Sequence, residues 1–343
     1  MRQNLNTLYV MNQEAHLRRD HETLVVEVGG AKQMQIPRHH LRSLVLFGHI
    51  MITPGVLQWC TEAGISVTYL DFSGRFVCRM EGPISGNVLL RLDQYGVLQS
   101  GEATRERARD FVAGKLYNLR ANLLRSARDG ATADQEAKLR AAADKLAHVL
   151  RELARCETVE EVRGIEGEAG NLYFGVFPAM LRCQPGTFHF AGRNRRPPRD
   201  PINALLSFVY ALLSHECRTA LEGVGLDPQV GFLHVPRPGR PSLALDLMEE
   251  FRPILADRLV LTLVNREQVK PKDFEEQTGG SVQMDEKARR TVIEAWQALK
   301  QREIRHPFLE QDMTWAEVPH VQARLLARTV RGELEHYPAF QYR

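Results

Sequence analysis

Three acidic positions and one histidine carry the chemistry this chain offers. Glu166 sits in Gly164-Ile165-Glu166-Gly167-Glu168-Ala169-Gly170. A helix interior seldom carries so many glycines, since each costs about 1 kcal/mol against alanine. Glycine lets another backbone come close, either a neighbouring helix or a nucleic-acid strand. The bland reading is close helix packing, with Glu166 and Glu168 merely solvated. His234 ends the apolar run Gly231-Phe232-Leu233-His234 and enters a loop, residues 235–241, of prolines, glycine and arginines. Loops of this kind lie at the surface, where sites are built. Asp246 and Glu249 stand three apart within residues 242–253, so both carboxylates share a helix face. The surrounding leucines bury that helix, and buried acids require partners. A bound cation is one such partner. Two acids and one imidazole suit Mg2+ or Mn2+ better than structural zinc. A salt bridge to Arg237, Arg240 or Arg252 is another, and spacing leaves both open.

A fourth element opens at Asp200-Pro201, where Asp200 caps a helix and proline takes its first position. Asn203, Ser207 and Tyr210 then recur on one face of that helix; a stripe facing water is the plainer reading. Just before it, Arg193, Arg195, Arg196 and Arg199 form a positive patch without an intervening acid. Such a patch, with Arg237 and Arg240, is a phosphate-contact signal, although solvated surface often looks the same.

These residues need a scaffold. The first 80 or so residues read as short strands at 7–11, 23–28, 33–37, 43–47, 66–70 and 75–80, with one helix at 54–63 capped by Thr53. A linker follows at 81–86, and from about Asn87 nearly everything reads as helix. Helices are predicted at 102–127, 133–154, 157–181, 201–222, 242–252, 255–264, 285–301 and 314–337, with Ser242 as an N-cap. Strands first and helices afterwards predict an α+β chain. Its parts are a β domain over 1–82, a linker and first helix over 83–100, and an all-α catalytic domain over 101–343.

The chain has 343 residues, 43% of them hydrophobic and 25% charged, which argues against disorder over most of its length. The net charge of +3 is too weak to argue for nucleic acid without local clustering. Five scattered cysteines with no CxxC pair argue against a disulfide framework or zinc ribbon, and suit a reducing cytoplasm. Gly114-Lys115 lacks the earlier glycine of a P-loop, and Thr219 stands where an HExxH helix after His215-Glu216 needs its second histidine. There is no GxSxG elbow. No apolar run reaches the roughly 20 residues of a membrane span.

Four ordered stretches together resemble a known family: Gly164-Ile165-Glu166-Gly167, the run from Asp200-Pro201-Ile202-Asn203 to Ser207, Gly231-Phe232-Leu233-His234, and the run from Arg240-Pro241-Ser242 to Arg252-Pro253. The family is that of the CRISPR-associated adaptation endonuclease/integrase, protein one of those systems, and the style is similar to the subtype C branch of type I. The resemblance implies an N-terminal β domain that forms a homodimer and a helical catalytic domain. It implies a site for Mg2+ or Mn2+ at Glu166, His234 and Glu249, which are also the catalytic residues, with Asp246 as a candidate additional ligand. Glu250 is adjacent and equally acidic, so the third ligand is Glu249 or Glu250. Some members place a tyrosine beside the metal; counting back from His234 finds Ser214 there, and Tyr210 is the candidate substitute.

The implied activity is joining prespacer DNA to the leader–repeat of a CRISPR array by 3′-hydroxyl transesterification, with DNA cleavage when water is the nucleophile. A small dimeric adaptation partner, protein two of the same systems, is implied, and no membrane. The alternatives are a stand-alone structure-selective repair nuclease and a non-catalytic DNA-architectural subunit.

Overall fold

The computed structural model describes residues 7–41, 43–72, 74, 76–80, 87–182, 187–194 and 197–342. The chain is α+β and divides into two compact units, Met1–Ser85 and Gly86–Arg343. The predicted linker at 81–86 lies outside the described residues.

Among the described residues, the first unit holds two four-stranded sheets. Strands β1 (Thr7–Val10), β5 (Ser43–Phe47), β7 (Ser66–Leu70) and β8 (Phe76–Met80) form one, in that order; β4 (Ala31–Pro37), β3 (Thr23–Val28), β2 (Ala15–Asp20) and β6 (Met51–Ile52) form the other. The β3–β4 hairpin turns on Gly29 and Gly30, at φ 58° and 79°, values a two-residue hairpin requires and glycine adopts without strain. Helix α1 (Pro54–Glu62) supplies Val56 and Trp59 to a core shared with Leu17, Leu24, Leu44, Leu46 and Val67. Thr53 precedes α1 as expected, but its side chain makes no capping bond. The sequence reading omits β2 and β6. In β2 (AHLRRD) only Ala15 and Leu17 point inward, and its charges pair across the sheet, Arg18 Nε with Glu27 Oε1 at 2.7 Å.

The second unit is helical. It comprises α2 (Val88–Gln99), α3 (Gly101–Arg128), α4 (Ala133–Leu153), α5 (Val159–Gly175), α6 (Pro201–Val224), α7 (Ser242–Met248), α8 (Arg258–Asn265), α9 (Glu286–Lys300) and α10 (Val318–Val330). Thr132 with Gln135 and Thr158 with Glu161 close reciprocal capping boxes at the starts of α4 and α5. Two hairpins, β9 (Phe274–Gln277) with β10 (Ser281–Met284) and β11 (Glu303–Arg305) with β12 (Asp312–Thr314), interrupt a stretch that periodicity reads as nearly all helix. The last helix therefore starts at Val318, not at 314, and stops before Gly332 at φ 74°. Two further expectations fail around α7. Ser242 is its first helical residue rather than its cap, and donates to Val235 O at 3.1 Å. Pro253 does not end the chain's coiling: Arg252–Asp257 forms a wide π-type turn leading into α8.

The C-terminal segment returns to α3. Asn118, fully buried, donates to Phe340 O at 2.7 Å and Glu250 O at 2.8 Å, and Gly114 has no room for a side chain because a Cβ would lie 2.7 Å from that of Ala339. Asp110 Oδ2 accepts the Tyr337 N–H at 3.1 Å and lies 3.2 Å from Arg107 Nε. Burial pushes its carboxyl up to about 6, against the opposing pull of Arg107 and the Tyr337 N–H. The native state thus keeps a proton that the unfolded chain releases, and stability should fall as pH rises from about 4 to about 6. We expect Asp110→Asn to remove about 3 kcal/mol of that fall in denaturant titrations across this range. Parallel curves for the two proteins would show that Asp110 titrates normally.

Candidate functional site

Glu166 from α5 and Glu249 just after α7 close on the ammonium group of Lys115, which α3 delivers, and His234 from the loop ahead of α7 approaches the other oxygen of Glu249. Lys115 Nζ pairs with Glu166 Oε1 and lies 2.7 Å from Glu249 Oε2. His234 Nε2 lies 3.9 Å from Glu249 Oε1, and an Arg252 guanidinium nitrogen reaches the same oxygen at 3.1 Å. Burial by itself would raise the Glu249 carboxyl, but Arg252 and Lys115, with His234, outweigh it and hold it at about 2.

Asp246 sits behind this cluster. Fully buried, it accepts the Phe232 and Leu233 N–H groups at 2.6 and 3.0 Å on Oδ2, and the His234 N–H at 2.9 Å on Oδ1. The same Oδ1 is 2.7 Å from His234 Nδ1. A carboxylate only accepts, so Nδ1 carries a proton toward Asp246, and Nε2 is the ring nitrogen turned toward Glu249. Gly231 makes this wrap feasible: a Cβ there would fall 2.7 Å from Ser242 and 2.8 Å from Asp246 Oδ2.

Glu250 faces the other way. Its oxygens accept from the Tyr337 hydroxyl at 2.7 Å and the Phe340 N–H at 2.6 Å, with Gln322 Nε2 at 3.2 Å. Burial lifts its carboxyl to about 7 despite these bonds.

A cleft of about 460 Å³ opens beside the cluster, lined among others by Lys115, Glu166, Gly167, Gly170, Arg193, Tyr210 and Arg252. Neither His234 nor Glu249 is in its walls; Glu249 meets it through Lys115 and Arg252, and His234 lies beyond Glu249. The glycines of α5 do not serve helix packing, the plainer reading of the sequence: a Cβ on Gly164, Gly167 or Gly170 would meet nothing within 4 Å. Tyr210 forms the far wall, its hydroxyl donating to Asp257 Oδ1 at 2.7 Å and its ring under the Arg193 and Arg252 guanidinium groups, 5.2 and 5.1 Å from the centroid. Burial pushes Asp257 up to about 6 against the hydrogen bonds from Tyr210 and Tyr173.

Asn203 does not face water, and Ser207 is half-buried beside it. Asn203, fully buried, accepts from Arg193 at 2.7 Å and from the Asn194 N–H at 3.0 Å, while Asp200 caps α6 through the Asn203 N–H at 2.8 Å. Ser207 Oγ takes a second Arg193 nitrogen at 3.2 Å. These residues fix the loop before α6 and aim Arg193 at the cleft. Arg199 and Arg237 are exposed and Arg240 half-buried. Arg195 and Arg196 lie outside the described residues.

The donor set fits a hard divalent cation on two counts. Among the described residues the oxygens of the fully buried Glu249 take no neutral hydrogen-bond donor, their near neighbours being the cationic Lys115 at 2.7 Å and Arg252 at 3.1 Å. The histidine is held by a carboxylate on one nitrogen with the other free, the arrangement of metal-bound imidazoles. Among the described residues, no three His, Cys, Asp or Glu side chains already close on one point. The space between Glu166 and Glu249 is held by Lys115. Lys115 and Asp257 are the residues that sequence reasoning missed. The available signal was the run Lys115, Asn118 and Asn122 on the face of α3 that also carries Phe111 and Leu119, polar groups where the period puts core.

A β-sheet unit joined to a helical unit, with one carboxylate of an acid–histidine cluster lining a cleft in the latter and the rest of the cluster just behind it, defines a distinct class of α+β protein. Residues 8–298 match the family described as CRISPR associated protein Cas1. The chain is 50% identical over 342 residues to the CRISPR-associated endonuclease Cas1 2 of Rhodospirillum rubrum, covering 98% of each. Its fold is similar to that of a casposase bound to integration product (TM-score 0.82, 23% identity, 99% of this chain and 95% of that one). It is similar also to a chain of a Cas6-RT-Cas1–Cas2 complex (TM-score 0.85, 22% identity, 100% of this chain and 37% of that one). The chain belongs to the Cas1 family.

Proposed function

We propose that this chain is a metal-dependent DNA endonuclease and integrase of CRISPR adaptation, of the subtype C branch of type I, which inserts prespacer DNA into the repeat array by 3′-hydroxyl transesterification. Family membership supports the class of reaction. The observation that carries the chemistry is the opposition of two carboxylates, Glu166 and Glu249, across a single cationic position, with His234 Nε2 3.9 Å from the other oxygen of Glu249. Glu166, His234 and Glu249 are the residues that would hold Mg2+ or Mn2+. When bound, the cation would polarise the scissile phosphate and stabilise the leaving oxygen.

The remaining steps belong to the chain's own groups. Asp246 keeps the proton on His234 Nδ1, which makes it a positioning residue rather than a fourth ligand. Arg252 balances part of the charge on Glu249 and, over Tyr210, presents a guanidinium to the cleft. Arg193 does the same from the loop before α6. The bare glycine face of α5 admits a phosphodiester backbone against Glu166. Arg199, Arg237 and Arg240, with Arg195 and Arg196, position backbone phosphates without reading sequence.

The partners follow the same reading. They are prespacer and leader–repeat DNA, a second copy through the first unit, where the exposed edge of β4 needs cover, and the small dimeric Cas2. The place of work is the cytoplasm. No helix among the described residues is long and apolar enough to cross a membrane. The test is joining of a labelled 3′-hydroxyl duplex to a leader–repeat target, with Cas2 present, before and after chelation. Chelation should abolish both joining and cleavage, and added Mn2+ should restore them. Joining that survives exhaustive chelation would leave the acids with a structural role only.

A further inference from the structure

We propose that Lys115 is a built-in placeholder cation, which occupies the space between Glu166 and Glu249 until a divalent ion displaces it and then turns toward phosphate in the cleft. The inference rests on the metal reading above. Lys115 is 6% exposed and grips carboxylates from two different helical segments, Glu166 on α5 and Glu249 after α7. Without a counter-ion between them the buried Glu249 and the half-buried Glu166 would repel each other, and Arg252 makes its close ion pair with Glu249, at 3.1 Å, with only a longer-range attraction to Glu166. The ammonium therefore keeps the metal-free site assembled. It also stands where the donor lone pairs of Glu166 and Glu249 converge, so ion and ammonium cannot both be there. Like charges at such separation repel strongly in a protein interior, which drives the side chain away as the ion enters.

The geometry provides somewhere to go. Lys115 lines the same cleft as Gly167, Gly170 and Arg193, where no side chain crowds the glycines. A long, flexible stem ending in a point charge suits such a swing, as an arginine fork does not. The exchange links the two ligands. Ion binding frees a cation for phosphate, and phosphate binding to that cation clears the carboxylates for the ion.

The experiment measures Mn2+ binding alone, by calorimetry and by the Mn2+-induced rise in melting temperature, for wild type, Lys115→Met, and a His234→Ala control. Lys115→Met is expected to bind Mn2+ at least tenfold more tightly than wild type, to melt lower without metal, and to gain more from Mn2+. Binding in the wild type that His234→Ala removes, with Lys115→Met no tighter, would overturn the placeholder and leave the metal site standing. Failure of every protein to bind Mn2+ above the His234→Ala background would overturn both. Because the methionine variant removes a buried charge, a second measurement uses wild type only: acylation of Lys115 by an amine reagent, read by peptide mass spectrometry. Mn2+ should speed that labelling severalfold. An unchanged or slower rate would show that the ammonium stays where it is, and the proposal falls.

Discussion

Glutamine at position 249 is expected to yield a folded protein that binds DNA but joins and cuts it slower by on the order of 10³-fold or more. The substitution keeps shape and removes a charge that Lys115 approaches at 2.7 Å and Arg252 at 3.1 Å. It also removes one of the acids that the proposed ion requires. Folding should survive because Lys115 keeps Glu166 and Arg252 keeps its place over Tyr210. DNA affinity should hold or rise slightly, since a negative charge near phosphate has gone. Joining, nicking and fluorescence anisotropy on the same preparation separate these effects. The informative companion is Glu250→Gln. That carboxylate turns toward Tyr337 and Phe340, so its loss should leave the rate within severalfold of wild type. If Glu250→Gln is dead and Glu249→Gln active, the reacting acid has been misassigned by one residue.

Asparagine at position 246 is the second large effect. Asp246 holds three backbone N–H groups and one ring N–H with two oxygens. Hydrogen bonds to a charged acceptor contribute about 1.5–3 kcal/mol each. An amide keeps one acceptor and turns an N–H₂ toward donors already present. We expect a loss of about 3 kcal/mol in stability and a 10- to 100-fold loss in Mn2+ affinity, because His234 is no longer fixed with its proton on Nδ1. Thermal melts and Mn2+ calorimetry measure the two losses. Weakened metal binding without a drop in stability would mean that the loop holds its shape without Asp246. A drop in stability with metal affinity intact would mean that His234 orients itself.

The acids were legible because their neighbours are unusual. Glycines around Glu166 and carboxylates three apart on an apolar helix violate local preference, and such violations concentrate at sites. The roles of Asp246 and Glu250 were not legible, since direction of a side chain is set by which backbone it meets, and Tyr337 or Phe232 is remote in sequence. Lys115 was invisible for a related reason. A lysine among leucines reads as a solvated interruption until the acids opposite are known. In the first unit, β2 escaped because charges fill its outward face, while two hairpins in the second unit are too short for periodicity to register. The wide turn at Arg252–Asp257 defies the rule that proline disfavours coiling before it, and it is that turn which carries Arg252 and Asp257 to the cleft.

The glycine face of α5 has a consequence for stability as well as geometry. Alanine at Gly164, Gly167 or Gly170 would meet no neighbour, and would strengthen the helix by about 1 kcal/mol at each position. The fold therefore leaves open, along this face, some of the simplest gains a helix can make. If the bare backbone serves DNA, the alanine variants should melt higher and join DNA more slowly, and tolerance to substitution there will separate the demands of folding from those of the reaction.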